Sequence, residues 1–371
     1  MDRRAVLAAG LGLAVLPTSG AWAQAGGALP GAAQLEQALS ASGRGAAVWI
    51  AGAGVAEPYG AAAGLADVQA GRPMTVDTPL RIASNAKIFT AATVLRLWEQ
   101  GRIDLDAPIG PLISPDLGAL LRADGYDTSA ITVRHLLSHS GGLYDHGSDP
   151  RFIQAVLADP QHHWTRAELL GLMVEYADPP TPPGVRWRYS DGGYILLGDI
   201  IERITGLNLG QAVRRELRFD RLGLDGSWWE VMEGQPATAQ DRAPQALGSI
   251  DARDIHASMD LYGGGGLVMS AKDLATFFAA LWEGRVFDRP ETLQEMLWQG
   301  SHERADHYRL GVFVAERDGR RWYWHSGFWG TFVAYSPDLR VAMSGVTVNQ
   351  DAFIRTKTLV EQALGGPPMN P

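Results

Sequence analysis

The chain of 371 residues has no cysteine. That absence excludes disulfides, cysteine-ligated zinc, iron–sulfur clusters and a cysteine nucleophile, and with them a lipoprotein anchor, which is built on a cysteine. Lysine is nearly absent too: arginine carries the positive charge everywhere except at Lys87, Lys272 and Lys357. With 32 Lys+Arg against 41 Asp+Glu the formal net charge is −9, and no basic run is present to neutralise phosphates. Nucleic acid is therefore not an expected partner. No apolar stretch reaches the ~18 residues that a membrane-spanning helix needs. Internal repeats and low-complexity tracts are also missing. What remains, 46% hydrophobic and 20% charged residues, suits a chain that buries a sizeable core without staples.

The N-terminus reads as an export signal rather than as part of the fold. Arg3-Arg4 precede an apolar run over residues 5–16, then Pro17 and the small-residue pattern Ala21-Trp22-Ala23. This predicts cleavage before Gln24. Arg3-Arg4-Ala5-Val6-Leu7 resembles a twin-arginine signal, which exports folded proteins; an ordinary secretory signal is the alternative. Either way residues 24–371 are expected outside the cytoplasm, periplasmic or secreted, with no stable membrane anchor after cleavage.

Residues 25–30 read as a flexible leader. A short amphipathic helix over 33–41 precedes strand-like runs at 46–50 and 59–65, which a glycine-rich hairpin signal at Gly52 and Gly54 separates. Helical spacing over 88–100 stops at Gly101, and Thr132 is a candidate N-cap for a helix reaching about Ser138. A further helix spans 194–205 and ends at Gly206. Strand patterns return at 310–316, 321–325, 332–336 and 341–348, with Pro337-Asp338 as a turn between the last two. An amphipathic helix over 353–364 closes the chain. Strands at both ends around a helical middle predict an α/β (α+β) domain over residues 24–371. Its single antiparallel sheet is built from both termini (about 30–85 and 255–371), flanked by helices, with a largely α-helical inserted region over about 86–254.

Ser84-Asn85-Ala86-Lys87 is a Ser-x-x-Lys tetrad at the start of a predicted helix. Spacing three puts both side chains on one face, and a helix N-terminus offers N–H groups to a developing oxyanion. Serine is a weak nucleophile without a base beside it. Lysine serves as that base only when neutral, which asks the fold to lower its pKa by burial or by neighbouring cations. Two further groups follow: Tyr189-Ser190-Asp191, and His325-Ser326-Gly327 at the end of a predicted strand before Phe328-Trp329-Gly330.

These three motifs, in this order, resemble the serine β-lactamase and penicillin-binding protein superfamily, most of all its class C β-lactamase-like branch. That branch carries Ser-x-x-Lys, Tyr-x-Asn and Lys/His-x-Gly. Accompanying blocks agree: Leu105-Asp106-Ala107-Pro108, the run from Ile131 to Leu143, that from Gly184 to Ser190, and that from Gly264 to Ser270. The resemblance covers roughly residues 30–364. It implies that Ser84 is acylated, that Lys87 and Tyr189 share the proton shuttle, with Tyr189 a phenolate or a hydrogen-bond relay, and that the backbone N–H groups of Ser84 and Phe328 form the oxyanion hole. Asp191 and His325 would stand at the Asn and Lys/His positions.

Two departures carry weight. Asp191 replaces an amide donor by a carboxylate, and an anion within ~4–6 Å raises a lysine pKa. Tyr189, more than Lys87, is therefore expected to act as base. His325 replaces a fixed cation by an imidazole that is mostly neutral at pH 7. Both changes weaken recognition of a substrate carboxylate. They tilt the expectation toward an esterase or D,D-carboxypeptidase-like hydrolase acting on small-molecule or peptide substrates, and away from the alternative of a class C-type β-lactamase. A non-catalytic module that binds penicillin or cell-wall peptides is a second alternative, which retention of Ser84, Lys87 and Tyr189 disfavours.

Asp191 could instead cap the helix that follows it, and Trp322, Trp324 and Trp329 could either wall a cleft or fill the core. His135 and His139 are four apart, as helical metal ligands are, but no Glu follows His135 and no third ligand is evident, so neither metal nor cofactor is implied. Gly263 to Gly266 lack the Gly-Lys-Ser/Thr of a phosphate loop; close backbone approach in a strand is their expected use.

Overall fold

The computed structural model describes residues 29–41 and 43–370, so the expected export signal lies outside the described residues, as does most of the expected leader. The strands from the two ends of the chain form one antiparallel sheet. They are β1 (Ala46–Ala51), β2 (Tyr59–Ala63), β3 (Phe313–Arg317), β4 (Arg320–Gly327), β5 (Thr331–Ser336) and β6 (Val341–Thr347), in the order β3-β4-β5-β6-β1-β2. The seam between N- and C-terminal portions is the β1–β6 ladder, which runs from Ala46 opposite Thr347 to Ala51 opposite Ala342.

Helices cover both faces. The principal ones are α1 (Ala32–Ser40), α2 (Ala86–Glu99), α3 (Val133–Leu137), α4 (Asp191–Thr205), α5 (Ala271–Trp282) and α6 (Phe353–Ala363). Alternation along β6 divides the core. Val341 and Met343 join Leu35, Leu39 and Val360 beneath α1 and α6, while Ala342 faces the cluster that holds Phe277 and Phe278 of α5. Ser344 Oγ donates to the Ala271 carbonyl at 2.6 Å and ties α5 to the sheet. Between the two portions lies a largely helical region whose centre is α2, buried from Ala86 through Leu97. This is the α/β architecture that the sequence predicts. Trp322, Trp324 and Trp329 are all buried, which assigns them to the core. Among the described residues no helix is long and apolar enough to cross a membrane.

The differences from expectation have local causes. Helix α4 starts at Asp191 rather than 194, with Gly192 pressed against Met173: a Cβ there would lie 2.6 Å from the Met173 Sδ. Strand β3 starts at Phe313 rather than 310, because Gly311 breaks the extended run with φ +99°. Gly263 to Gly266 form a turn ahead of a short strand, Leu267–Met269, not a strand themselves. Their close approach is nonetheless severe. A Cβ on Gly263 would lie 2.3 Å from the Tyr194 carbonyl, and one on Gly198 of α4 would lie 2.0 Å from the Tyr262 carbonyl. The helix and the glycine turn are therefore in backbone contact. Gly198→Ala is expected to cost about 1–3 kcal/mol of stability, as overpacking does; an unchanged midpoint in urea unfolding would contradict this contact.

Candidate active site

The glycine turn, α2 and the start of α4 meet at one side chain. Lys87 is 0% exposed. Its ammonium uses all three protons, donating to Ser84 Oγ at 3.0 Å, to Asp191 Oδ1 at 2.6 Å and to the Gly264 carbonyl at 2.8 Å. Burial alone disfavours the charged form, but the Asp191 carboxylate, with Tyr189 and Asp260 behind it, more than offsets that and holds the Lys87 pKa above the usual lysine value. Lys87 is a permanent ammonium at neutral pH.

Ser84 lies in a single 3-10 turn, Ala83–Asn85, that leads into α2. Ala83 before it has φ +47°, a left-handed conformation unfavourable for a residue with a Cβ. Long-range hydrogen bonds hold this turn. Asn85 Nδ2 donates to the Ile82 carbonyl at 3.0 Å and to Thr331 Oγ1 at 2.8 Å, and Thr331 Oγ1 donates to the Ile82 carbonyl at 2.9 Å. Gly327, at the end of β4, is pressed against the same place: a Cβ there would sit 2.1 Å from the Ile82 carbonyl. The Ser84 turn and the strand end that leads to Phe328 are thus locked together. Phe328 is 43% exposed.

Tyr189 precedes α4 in an irregular segment, and Lys87 Nζ stands 5.0 Å from its ring centroid. Burial raises the phenol pKa well above its usual value, and the interactions with Lys87 and Ser84 only partly draw it back. The resting side chain is therefore a neutral phenol. Asp191 is the first residue of α4, with Ser190 at the N-cap. Its carboxylate points to Lys87 instead of capping the helix, and its side chain is 25% exposed. The cap comes from elsewhere: Asp145 Oδ1 accepts the Asp191 N–H at 3.0 Å. Burial pushes the Asp191 carboxyl up, but Lys87 and His146 more than offset this and hold it below the usual carboxylate value. Asp145 bears the consequence, since burial and the Asp191 charge push it up to about 6. Asp260, desolvated and also facing Asp191, is likewise pushed up to about 6 although Lys87 draws it down.

His325 sits on β4, 1% exposed. Its Nε2 is 3.2 Å from the Tyr308 hydroxyl, and its Nδ1 accepts the Ser326 N–H at 3.0 Å. Burial, assisted by the Lys87 charge, pushes its pKa down to about 3, so the imidazole is neutral. Trp322 and Trp324 alternate with it along the strand and are packed in the core with Phe313. His135 and His139 do not share a site. His135 Nδ1 accepts the Thr132 N–H at 3.2 Å as part of a helix cap, while the His139 ring lies against Tyr189. No group of three or more potential metal ligands occurs among the described residues.

Ser84, Lys87, Tyr189 and Asp191 thus converge, with His325 one shell behind Tyr189. Asp145, Asp260, Tyr308, Thr331 and the Gly264 carbonyl also belong to this constellation, and the sequence offers little sign of them. Asn85, inside the tetrad itself, was within reach.

Fold and constellation together define a β-lactamase-type α/β protein. The Beta-lactamase family model matches residues 24–359, and the chain belongs to that family. It is similar to a monacolin J acid methylbutanoyltransferase from Aspergillus terreus, 34% identical over 158 residues, or 39% of this chain and 37% of that one. It also resembles Esterase EstB from Burkholderia gladioli, 36% identical over 166 residues, or 42% of this chain and 40% of that one. The match thus spans about two fifths of the length of these curated relatives. Among solved structures, a D-stereospecific amidohydrolase from Streptomyces sp. superposes with a TM-score of 0.72 at 25% identity, covering 88% of this chain and 98% of that one.

The carboxylate at Asp145 has a measurable consequence. Its pKa rises on folding from 3.8 to about 6, so the stabilising contribution is full below about 3.8 and is lost as pH rises through about 6. Asp145→Asn keeps the acceptor for the Asp191 N–H and removes the repulsion. Relative to the parent it should gain about 1 kcal/mol more at pH 8 than at pH 5. Thermal unfolding at the two pH values checks this; an equal gain at both would contradict the assignment.

Proposed function

We propose that the protein is an exported serine hydrolase that forms an acyl-enzyme on Ser84 and cleaves an ester or a D-amino-acid amide or peptide bond. The observation that carries this reading is the Lys87 ammonium, bonded at once to Ser84 Oγ and Asp191 Oδ1. Because one Lys87 proton occupies a Ser84 lone pair, the serine hydroxyl hydrogen is left to point at Tyr189.

In this reading Ser84 Oγ attacks the substrate carbonyl carbon and its proton passes to the Tyr189 oxygen. The phenol's own proton moves on to the leaving oxygen or nitrogen as the ester or amide bond breaks. A relay of this kind needs no free phenolate, in keeping with the raised Tyr189 pKa. Lys87 stays protonated throughout and stabilises the negative charge that develops on Ser84 Oγ as its proton leaves. The N–H groups of Ser84 and Phe328 receive the carbonyl oxygen, and water then reverses the sequence to release the acid.

Electrostatics favour substrates without a carboxylate beside the scissile bond. The lone lysine of the site is saturated, His325 is neutral, and Asp191 adds a negative charge. The similarity to proteins named as an esterase, a methylbutanoyltransferase and a D-stereospecific amidohydrolase supports the same substrate range.

A fluorophosphonate probe should label Ser84, and Ser84→Ala should abolish labelling; persistent labelling in that variant would relocate the nucleophile. On parallel panels, p-nitrophenyl esters or D-amino-acid amides should turn over faster than nitrocefin. Asp191→Asn should raise nitrocefin turnover, whereas a fall would refute the argument from charge.

A further inference from the structure

One buried titratable group has no part in that scheme. His139 is 3% exposed and follows α3 in the left-handed conformation, φ +54°, which costs a non-glycine residue stability. Its bonds converge on a single neighbour. The His139 carbonyl accepts the Arg188 N–H at 2.8 Å, and its Nδ1 accepts the Ser190 N–H at 3.2 Å. These two residues flank Tyr189 in sequence. Between the two bonds the imidazole faces the Tyr189 ring, with centroids 4.3 Å apart and planes 34° apart.

We propose that His139 is a positioning residue for Tyr189: it clamps the backbone on both sides of the tyrosine and backs its ring, so that the phenol oxygen is held at Ser84. The inference rests on Tyr189 being the proton relay. Only a neutral imidazole can do this, because Nδ1 must accept; the proton is then on Nε2. Burial, with the Lys87 charge, pushes the His139 pKa well down and keeps it in that form. Nε2 has no hydrogen-bond partner among the described residues. Leaving a buried N–H unpaired is unfavourable, and a phenylalanine would fill the same space without that penalty. The side chain earns its place through Nδ1. Ser190 completes the clamp on the far side, its Oγ donating to the Tyr144 carbonyl at 2.8 Å.

His139→Asn keeps an acceptor near Nδ1 and tolerates positive φ. His139→Gly tolerates it but offers no acceptor, and His139→Phe keeps a ring without one. Single-turnover acylation by a p-nitrophenyl ester, normalised to folded protein, should fall about 100-fold in His139→Gly and His139→Phe with KM within threefold, the size of effect that misplacing a catalytic group by ~1 Å produces. His139→Asn should recover at least tenfold of the loss. Equal impairment of Asn and Gly variants, or losses under threefold, would overturn the proposal, as would failure of both Gly and Phe variants to fold while Asn behaves like the parent. A crystal structure of His139→Gly separates this from failure of the functional reading. Tyr189 should have swung away from Ser84 whether or not the parent turns the ester over; an unmoved Tyr189 would refute the clamp.

Discussion

The whole site depends on one buried charge. Desolvating an ammonium costs several kcal/mol unless its protons are all bonded and a counter-charge lies close, and Lys87 meets both conditions through three separate parts of the chain. Ser84 comes from the turn that opens α2, Asp191 from the first residue of α4, and the Gly264 carbonyl from the glycine turn. Moving any of these leaves an uncompensated cation in the core. This explains why the glycine turn is packed backbone to backbone against α4, with no room for a Cβ at Gly198 or Gly263: the carbonyl that Lys87 needs must come that close. Arginine, which carries nearly all other positive charge in the sequence, has a planar fork that cannot direct three protons to a hydroxyl, a carboxylate and a carbonyl around one atom.

The same bonding decides which group moves protons. An ammonium whose three protons are all engaged, one of them by a carboxylate, holds them tightly, so in the proposed reaction proton transfer would fall to a polar group beside Ser84 that can accept and donate at once. Tyr189 meets that description as a neutral phenol. Its raised pKa would handicap a base that had to exist as phenolate before substrate arrives, but it does not handicap a relay in which accepting and donating are concerted. Asp191 is then less a catalytic acid or base than the counter-charge that fixes Lys87 in one protonation state.

What the sequence made legible follows from the range of each interaction. The sheet strands announced themselves by local pattern, and the pairing of Ser84 with Lys87 by a spacing of three. Both are properties of a few consecutive residues. Asp191 could be read as a cap or as a site residue; the question was open because its answer lies 46 positions away, in the Asp145 carboxylate that takes over the cap. Thr331, which reaches the Ser84 turn from 246 residues further on through Asn85, carries no local signal at all. The start of α4 went the other way: the helical pattern begins at 194, yet tertiary packing carries the helix back through Gly192-Gly193 to Asp191. His135 and His139 likewise share metal-ligand spacing, yet one belongs to a helix cap and the other to the tyrosine.

Charge balance around Ser84 links these details to the substrate preference proposed above. The imidazoles of His139, His146 and His325 are all pushed down by burial, and for each the Lys87 charge acts in the same direction. One cation therefore suppresses every other cation in its neighbourhood while supporting the ionised form of Asp191. Around Ser84 the ammonium of Lys87 is thus already committed, with the Asp191 and Asp260 carboxyls close by. A ligand anion at the proposed site would face Asp191, which keeps a quarter of its side chain exposed. His325 instead packs within aromatic contact distance of Tyr308 and Phe313, as a neutral imidazole. The selectivity proposed for this site would thus follow from how the core behind it is filled, and not only from the residues that face a substrate.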